Sequence, residues 1–259
     1  MSLTILIIKT GSTIASIKAC GIDFEDWFIK GMKLIPSQVI VCNAHLGEPL
    51  PCLDTVDGII ITGSPAYVTD LADWNFVVAD FCRKAANECI PILGVCYGHQ
   101  LLAWAYGGVV DFTTAGREIG TVSIRLTAAA GNDALFCGLP EAYRELQVQV
   151  SHSQSVMALP PGACRLADNE HDPNQAFRIG EWIWGIQFHP EFSAEVTRAY
   201  IKERMKEIRD EGLDPILLLR KVVATPTSAS LLHQFVEIVT SAKSVKSQSA
   251  DAQALTAIL

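Results

Sequence analysis

The feature that most constrains this chain is an apolar run, residues 91–95, that stops at a cysteine between two glycines: Gly94, Val95, Cys96, Tyr97, Gly98. This is the G-x-nucleophile-x-G elbow, in which a buried strand turns into a helix within one residue and the pivot takes a strained backbone conformation. Side chains at the two glycines would collide across such a turn. From Tyr97 through Trp104 the chain then reads as a helix. Its first free N–H groups and positive dipole end would face the sulfur and favour thiolate over thiol.

Three other β-branched runs, 3–8, 38–42 and 58–62, are nearly continuous in apolar character, as 91–95 is. Such runs predict a parallel sheet covered on both faces. Between the third and fourth, Trp74, Val77, Val78, Phe81, Cys82 and Ala85 form an apolar stripe at helical spacing, with Asp70 and Asp73 as candidate caps. That makes a β-α-β crossover delivering the chain to the elbow. After the elbow helix the pattern alternates, in 121–126, 146–150 and 182–188, which predicts antiparallel additions with one wetter face.

From Ser193, a candidate N-cap, a charged helix runs toward a stop at Gly212; Asp214 and Pro215 read as the cap and first position of another, and 225–242 as a third. The charged residues Lys202, Glu203, Arg204, Lys206 and Glu207 read as a solvated face. The stretch 243–259 is rich in small and polar residues and is expected to be poorly ordered. The expected division is therefore 1–192 for an α/β domain, 193–242 for a helical extension and 243–259 for a tail.

A length of 259 residues suits such a plan. The net charge of −8 and the lack of any Lys/Arg block argue against nucleic acid or an anionic membrane as partner, leaving small molecules or proteins. Run 3–8 is too short for a signal segment or a membrane span and reads as a first buried strand. The eight cysteines lack a C-x-x-C pair and are expected to be reduced, in the cytoplasm. Cys20, Cys42, Cys52, Cys82, Cys89, Cys137 and Cys164 read as small buried hydrophobes; only Cys96 has a local reason to be reactive.

A thiolate nucleophile needs a base, and the base needs an orienting group. Of the six histidines, His45, His171 and His233 read as solvated or core residues, and His99, on the elbow helix, is expected to point sideways. His189 is the strongest candidate. It ends the apolar run 182–188 and precedes Pro190 and Glu191, so a base and a carboxylate emerge together with a proline between them fixing φ. A carboxylate on one ring nitrogen would leave the other facing Cys96. A solvated His and Glu at a strand end is the competing reading of so short a pattern. A metal hydrolase using Cys96, His189 and Glu191 as ligands is a further alternative, although their spacing matches no zinc pattern.

Gly94 through Gln100, followed some ninety positions later by Gly185 through Glu191, closely resembles the class I glutamine amidotransferases. The segment Gly58 through Pro65 is similar to that family's glycine-rich oxyanion strand, and Val150, Ser151, His152 and Ser153 look like its glutamine-contacting turn. The resemblance implies a flavodoxin-like α/β fold with a mixed, mostly parallel central sheet flanked by helices. It also implies a Cys96, His189, Glu191 triad that hydrolyses the side-chain amide of glutamine through a thioester, giving glutamate and ammonia. Backbone N–H groups at Gly63 and Tyr97 would hold the oxyanion. Ser64, Gln100, Ser151, His152 and Ser153 match positions around the substrate, though Gln100 also reads as an ordinary helix residue and His152 as a turn cap. No cofactor and no metal are expected.

Two departures matter. Ser64 stands where the family often has a second glycine, and Ser153 and Gln154 stand where its GMP synthase branch usually has Gly and Asp. Free glutamine is the default substrate, and the second change puts recognition of its amino group in question: a contact rebuilt there would favour a γ-glutamyl conjugate instead. The chain has no phosphate-binding G-x-x-x-x-G-K-[ST] loop and too few residues after Ser193 for a synthase domain. The expectations are a synthase partner subunit that takes the ammonia, a glutaminase acting alone, a γ-glutamyl peptidase, or a non-catalytic regulatory subunit.

Overall fold

A computed structural model describes residues 3–139 and 144–256, with side chains through residue 246. The strands are Ile5–Lys9 (β1), Val39–Asn43 (β2), Gly58–Ile61 (β3), Ile92–Val95 (β4), Val109–Phe112 (β5), Glu118–Leu126 (β6), Glu145–His152 (β7), Gln154–Ala158 (β8), Cys164–Asp168 (β9), Ala176–Ile179 (β10) and Ile183–Ile186 (β11). The helices are Ala15–Lys18 (α1), Phe24–Met32 (α2), Asp73–Asn87 (α3), Tyr97–Ala105 (α4), Ala194–Glu203 (α5), Met205–Asp210 (α6), Pro215–Lys221 (α7) and Pro226–Thr256 (α8).

Nine strands form one mixed sheet in the order β2-β1-β3-β4-β11-β10-β9-β6-β7, and β5 pairs with β8 in a separate ribbon. The four apolar runs are parallel neighbours. Each sends alternate side chains to opposite faces. Ile5 and Ile7 pack with Phe24, Phe28, Leu232 and Phe235 of α2 and α8, while Leu6 and Ile8 pack with Val78, Cys82, Leu101 and Leu102 of α3 and α4. Fully burying each such side chain contributes about 1.5–3 kcal/mol, so both faces of the central strands drive folding.

Runs 121–126 and 146–150 lie in the antiparallel pair β6 and β7. Run 182–188 departs from expectation. Its strand β11 is central, fully buried, and parallel to β4 on one side while antiparallel to β10 on the other. The apparent alternation misled because Gly185 and Gln187 are not solvent positions: a Cβ at Gly185 would lie 2.6 Å from Phe177 Cζ, and Gln187 is fully buried, accepting from Gln100 Nε2.

The crossover helix α3 also differs in detail. Val77 is 59% exposed and Asn75 takes a buried position instead, donating toward Val68 O and accepting from the Tyr97 hydroxyl. Neither aspartate caps it; Ala72 is the N-cap, Asp73 lies in the first turn, and Asp70 accepts from Tyr67 N. Among the cysteines read as buried, only Cys42 and Cys82 are; Cys20, Cys52, Cys89 and Cys137 are exposed, and Cys164 is half-buried.

The segment after Ser193 docks onto β6. Ser193 Oγ accepts from Val196 N, Asp214 Oδ1 accepts from Ile216 N and Leu217 N ahead of Pro215, and Gly212 has φ 82°. Ile201, Ile208 and Val222 bury against Ile119. The last helix continues without a break past residue 242 to Thr256, and 257–259 lie outside the described residues.

Candidate active site

Cys96 follows β4 directly and is the N-cap of α4, at φ 52° and ψ −100°. A non-glycine residue there stores about 1–3 kcal/mol of strain and persists only where its surroundings over-determine it. They do. Cys96 N donates to Ile186 O at 2.9 Å and Gly98 N to Thr62 O at 3.2 Å, tying the turn to β11 and to the end of β3. A Cβ on Gly94 would lie 2.4 Å from Gly98 O, and one on Gly98 2.5 Å from Ile61 O, so only glycines fit.

The neighbouring strand positions His189, the candidate base. Val95 of β4 is in register with Ile186 of β11, and three residues further on His189 emerges at the same edge of the sheet. Its Nδ1 lies 2.7 Å from Glu191 Oε1, whose carboxylate is fully buried. Its ring stacks on Phe192 with centroids 4.0 Å apart. Burial alone would lower the proton affinity of this imidazole, but the adjacent Glu191 and Cys96 charges outweigh it and raise His189 well above 6.5. For Cys96 burial likewise opposes ionisation, yet the facing His189 holds the thiol below its ordinary 9.0. Each partner thus favours the charged form of the other.

Cys96 and His189 open into a cavity of 260 Å³ that is also lined by Ser64, Tyr97, Gln100, Ser151, His152 and Ser153. Tyr97 is the first residue of α4, so its backbone N–H has no intrahelical acceptor, while its hydroxyl is anchored on Asn75 at 2.6 Å. Gly63 lies against both reactive groups: a Cβ there would be 3.0 Å from His189 Cε1 and 3.6 Å from Cys96 Cβ. Ser64 Oγ donates to Thr10 O, and Gln100 Nε2 donates to Gln154 O and Gln187 Oε1, so both side chains brace the cavity wall. Ser151 O lies 3.9 Å from the Cys96 sulfur.

The family pattern described as glutamine amidotransferase class-I matches residues 20–208 of this chain. The chain belongs to that family. It is 34% identical over 146 residues to γ-glutamyl peptidase 3 of Arabidopsis thaliana, a match covering 56% of this chain and 58% of that protein. It is 39% identical over 152 residues to a GMP synthase (glutamine-hydrolyzing) of Porphyromonas gingivalis strain ATCC BAA-308/W83, covering 58% of this chain and 28% of that one. The chain thus spans little more than half of the first relative and under a third of the second. In fold it resembles a glutamine amidotransferase of Thermotoga maritima, with a TM-score of 0.71 at 21% identity over 92% of this chain and 99% of that one.

Against that family background, the remaining histidines separate by environment. His99 is fully buried against Phe177, and burial pushes it down to about 3. His152 has an acceptor on each ring nitrogen: Gln154 O at 2.9 Å from Nδ1 and Glu118 Oε2 at 2.9 Å from Nε2. Only the imidazolium can donate both bonds. Burial opposes that charge, but Glu118 prevails and raises His152 above 6.5. Glu118 also accepts from Asn169 and Gln175.

Sequence reasoning missed Glu118 and Arg204. Neither carried a local signal, since each depends on contacts made far along the chain. Arg204, read as part of a solvated face, instead lines the cavity at the junction of α5 and α6, donating to Ser151 Oγ at 3.3 Å with its guanidinium 5.3 Å from the Tyr200 ring centroid. Its neighbour Glu203 accepts from Ala15 N and Ser16 N at the start of α1.

Proposed function

We propose that this protein is a cysteine hydrolase of γ-glutamyl amide bonds, with the glutamine side chain as its simplest substrate. The observation that carries the reading is the buried Cys96 facing His189 at an elbow whose helix N-terminus faces the same cavity. Cys96 Sγ attacks the amide carbon, and the Tyr97 and Gly63 N–H groups accept the charge that develops on the carbonyl oxygen. His189 gives its proton to the departing nitrogen, then takes one from the water that opens the thioester, with Glu191 holding its orientation. Glutamate and ammonia, or glutamate and a free amine, leave. Gln100, Ser64, Ser153 and the Ser151–His152 backbone shape the substrate end of the pocket.

A second reading, γ-glutamyl peptide hydrolysis, is supported by Ser153 and Gln154 in the turn beside the nucleophile and by the likeness to a plant γ-glutamyl peptidase. In the first reading a synthase subunit consumes the ammonia. Cytoplasmic location belongs to the same proposal; among the described residues no helix is long and apolar enough to cross a membrane. The test is product release from glutamine and from γ-glutamylglycine, with Cys96→Ala as control. Release that Cys96→Ala abolishes supports the reading. Turnover of neither substrate, together with no alkylation of Cys96 by a glutamine-like electrophile, leaves a non-catalytic binding subunit.

A further inference from the structure

Arg204 is a charge without a counter-charge at the catalytic cavity. Among the described residues no carboxylate lies within ion-pair distance of it, and its one hydrogen bond is to the neutral Ser151 hydroxyl at 3.3 Å. The other guanidinium lining the cavity, Arg117, is already used: its Nε and Nη2 make paired 2.8 Å bonds to Glu211. Burial and the nearby Arg117 charge both press on Arg204 and hold it below its ordinary 12.5. An arginine placed this way is poorly compensated by the protein's own groups, and a carboxylate would relieve it. Ser151 sets the distance scale, since its carbonyl faces the Cys96 sulfur and its hydroxyl faces Arg204. The guanidinium is therefore one residue's width from the reacting atom, as a small γ-glutamyl compound would need. Glu207 lines the same rim but is exposed.

We infer that Arg204 is the substrate-carboxylate anchor of this site, a specificity-determining contribution of the segment after Ser193. The inference rests on the γ-glutamyl reading above and sharpens it. Two carboxylates could fill the place: the α-carboxylate of the γ-glutamyl group, or the terminal carboxylate of an amino acid leaving group. The planar fork of arginine suits either, through two parallel N–H···O bonds that lysine cannot reproduce.

The test compares wild type, Arg204→Gln and Arg204→Lys on glutamine, γ-glutamylglycine and γ-glutamyl methylamide. Arg204→Gln is expected to raise KM by about 10- to 100-fold, the size of a lost charge-assisted contact, with kcat changed far less and Arg204→Lys partly restoring it. A rise on all three substrates identifies the α-carboxylate. A rise on γ-glutamylglycine alone identifies the leaving group's carboxylate. Unchanged KM on all three, or equal losses in kcat for Gln and Lys, overturns the anchor. Calorimetric binding of γ-glutamylglycine to Cys96→Ala, with and without Arg204→Gln, needs no turnover. Binding that Arg204→Gln abolishes keeps the anchor even if the wild type hydrolyses nothing, whereas binding indifferent to Arg204, or none at all, removes it.

Discussion

Two buried histidine–carboxylate pairs stand on either side of the cavity, and they differ in one nitrogen. His189 meets Glu191 at 2.7 Å and His152 meets Glu118 at 2.9 Å, both imidazoles raised by their carboxylates against the effect of burial. His189 keeps its second nitrogen for the cavity side, where the sulfur is. His152 has spent its second nitrogen on Gln154 O. A histidine becomes a proton carrier by what its second nitrogen faces, not by the carboxylate behind it; the same pairing with no free nitrogen is a rivet between β6 and β7.

The largest expected effect breaks the first pair. His189→Gln should lower turnover by about 10²–10⁴-fold, the usual worth of a positioned acid–base group, and should also cost stability, because it leaves the buried Glu191 carboxylate without its imidazolium. Glu118→Gln should act on stability and spare that acid–base group. It leaves a buried imidazolium without its carboxylate and should cost about 3–5 kcal/mol in denaturant unfolding. The pH dependence has a definite sign. His152, raised above 6.5, contributes fully below that value and loses its contribution as pH rises through the folded value; Glu118, lowered below 4.5, contributes fully above that and loses it as pH falls. The gap between wild type and variant is thus widest between 4.5 and 6.5. A gap that does not depend on pH, or turnover that collapses in Glu118→Gln at unchanged stability, would erase the distinction between the pairs.

A smaller effect sharpens it further. A thiol titrating at 9.0 loses about 50-fold in thiolate between pH 9 and pH 7, and its alkylation rate falls accordingly. Cys96 in the wild type should lose less of its rate across that interval, because His189 holds the thiol below 9.0. A fall of about 50-fold or more should appear in His189→Gln, where burial is left to push the thiol up, and a far smaller one in His152→Gln. An equal fall in wild type would show that the sulfur rests as a thiol.

The parallel half of the sheet and the meeting of Cys96, His189 and Glu191 were legible because each is written locally, as unbroken β-branched runs, a G-x-C-x-G turn and a His-Pro-Glu strand end. β11 was read as an antiparallel addition with one wetter face because alternation stands for solvent only when the polar positions reach water, and Gln187 instead meets Gln100. Val77 was placed on the buried stripe that Asn75 shares, since periodicity does not reveal that a tyrosine hydroxyl waits there. Arg204 and Glu118 were illegible for a related reason. Lys202, Glu203 and Arg204 look alike as charges, and only the crossing of α5 over β6 turns one of them inward.

The in-register pairing of β4 with β11 sets how the catalytic pair can fail. Cys96 stands one residue and His189 three residues beyond the ends of hydrogen-bonded parallel neighbours, Val95 beside Ile186, in the middle of the nine-stranded sheet. Their separation is thus ruled by the spacing of adjacent strands, about 4.8 Å, and by a short segment whose His189 N–H is pinned on Gln149 O. On heating, such a pair has no private melting transition: its nucleophilicity should survive the fraying of peripheral helices and vanish in the same step as the central sheet.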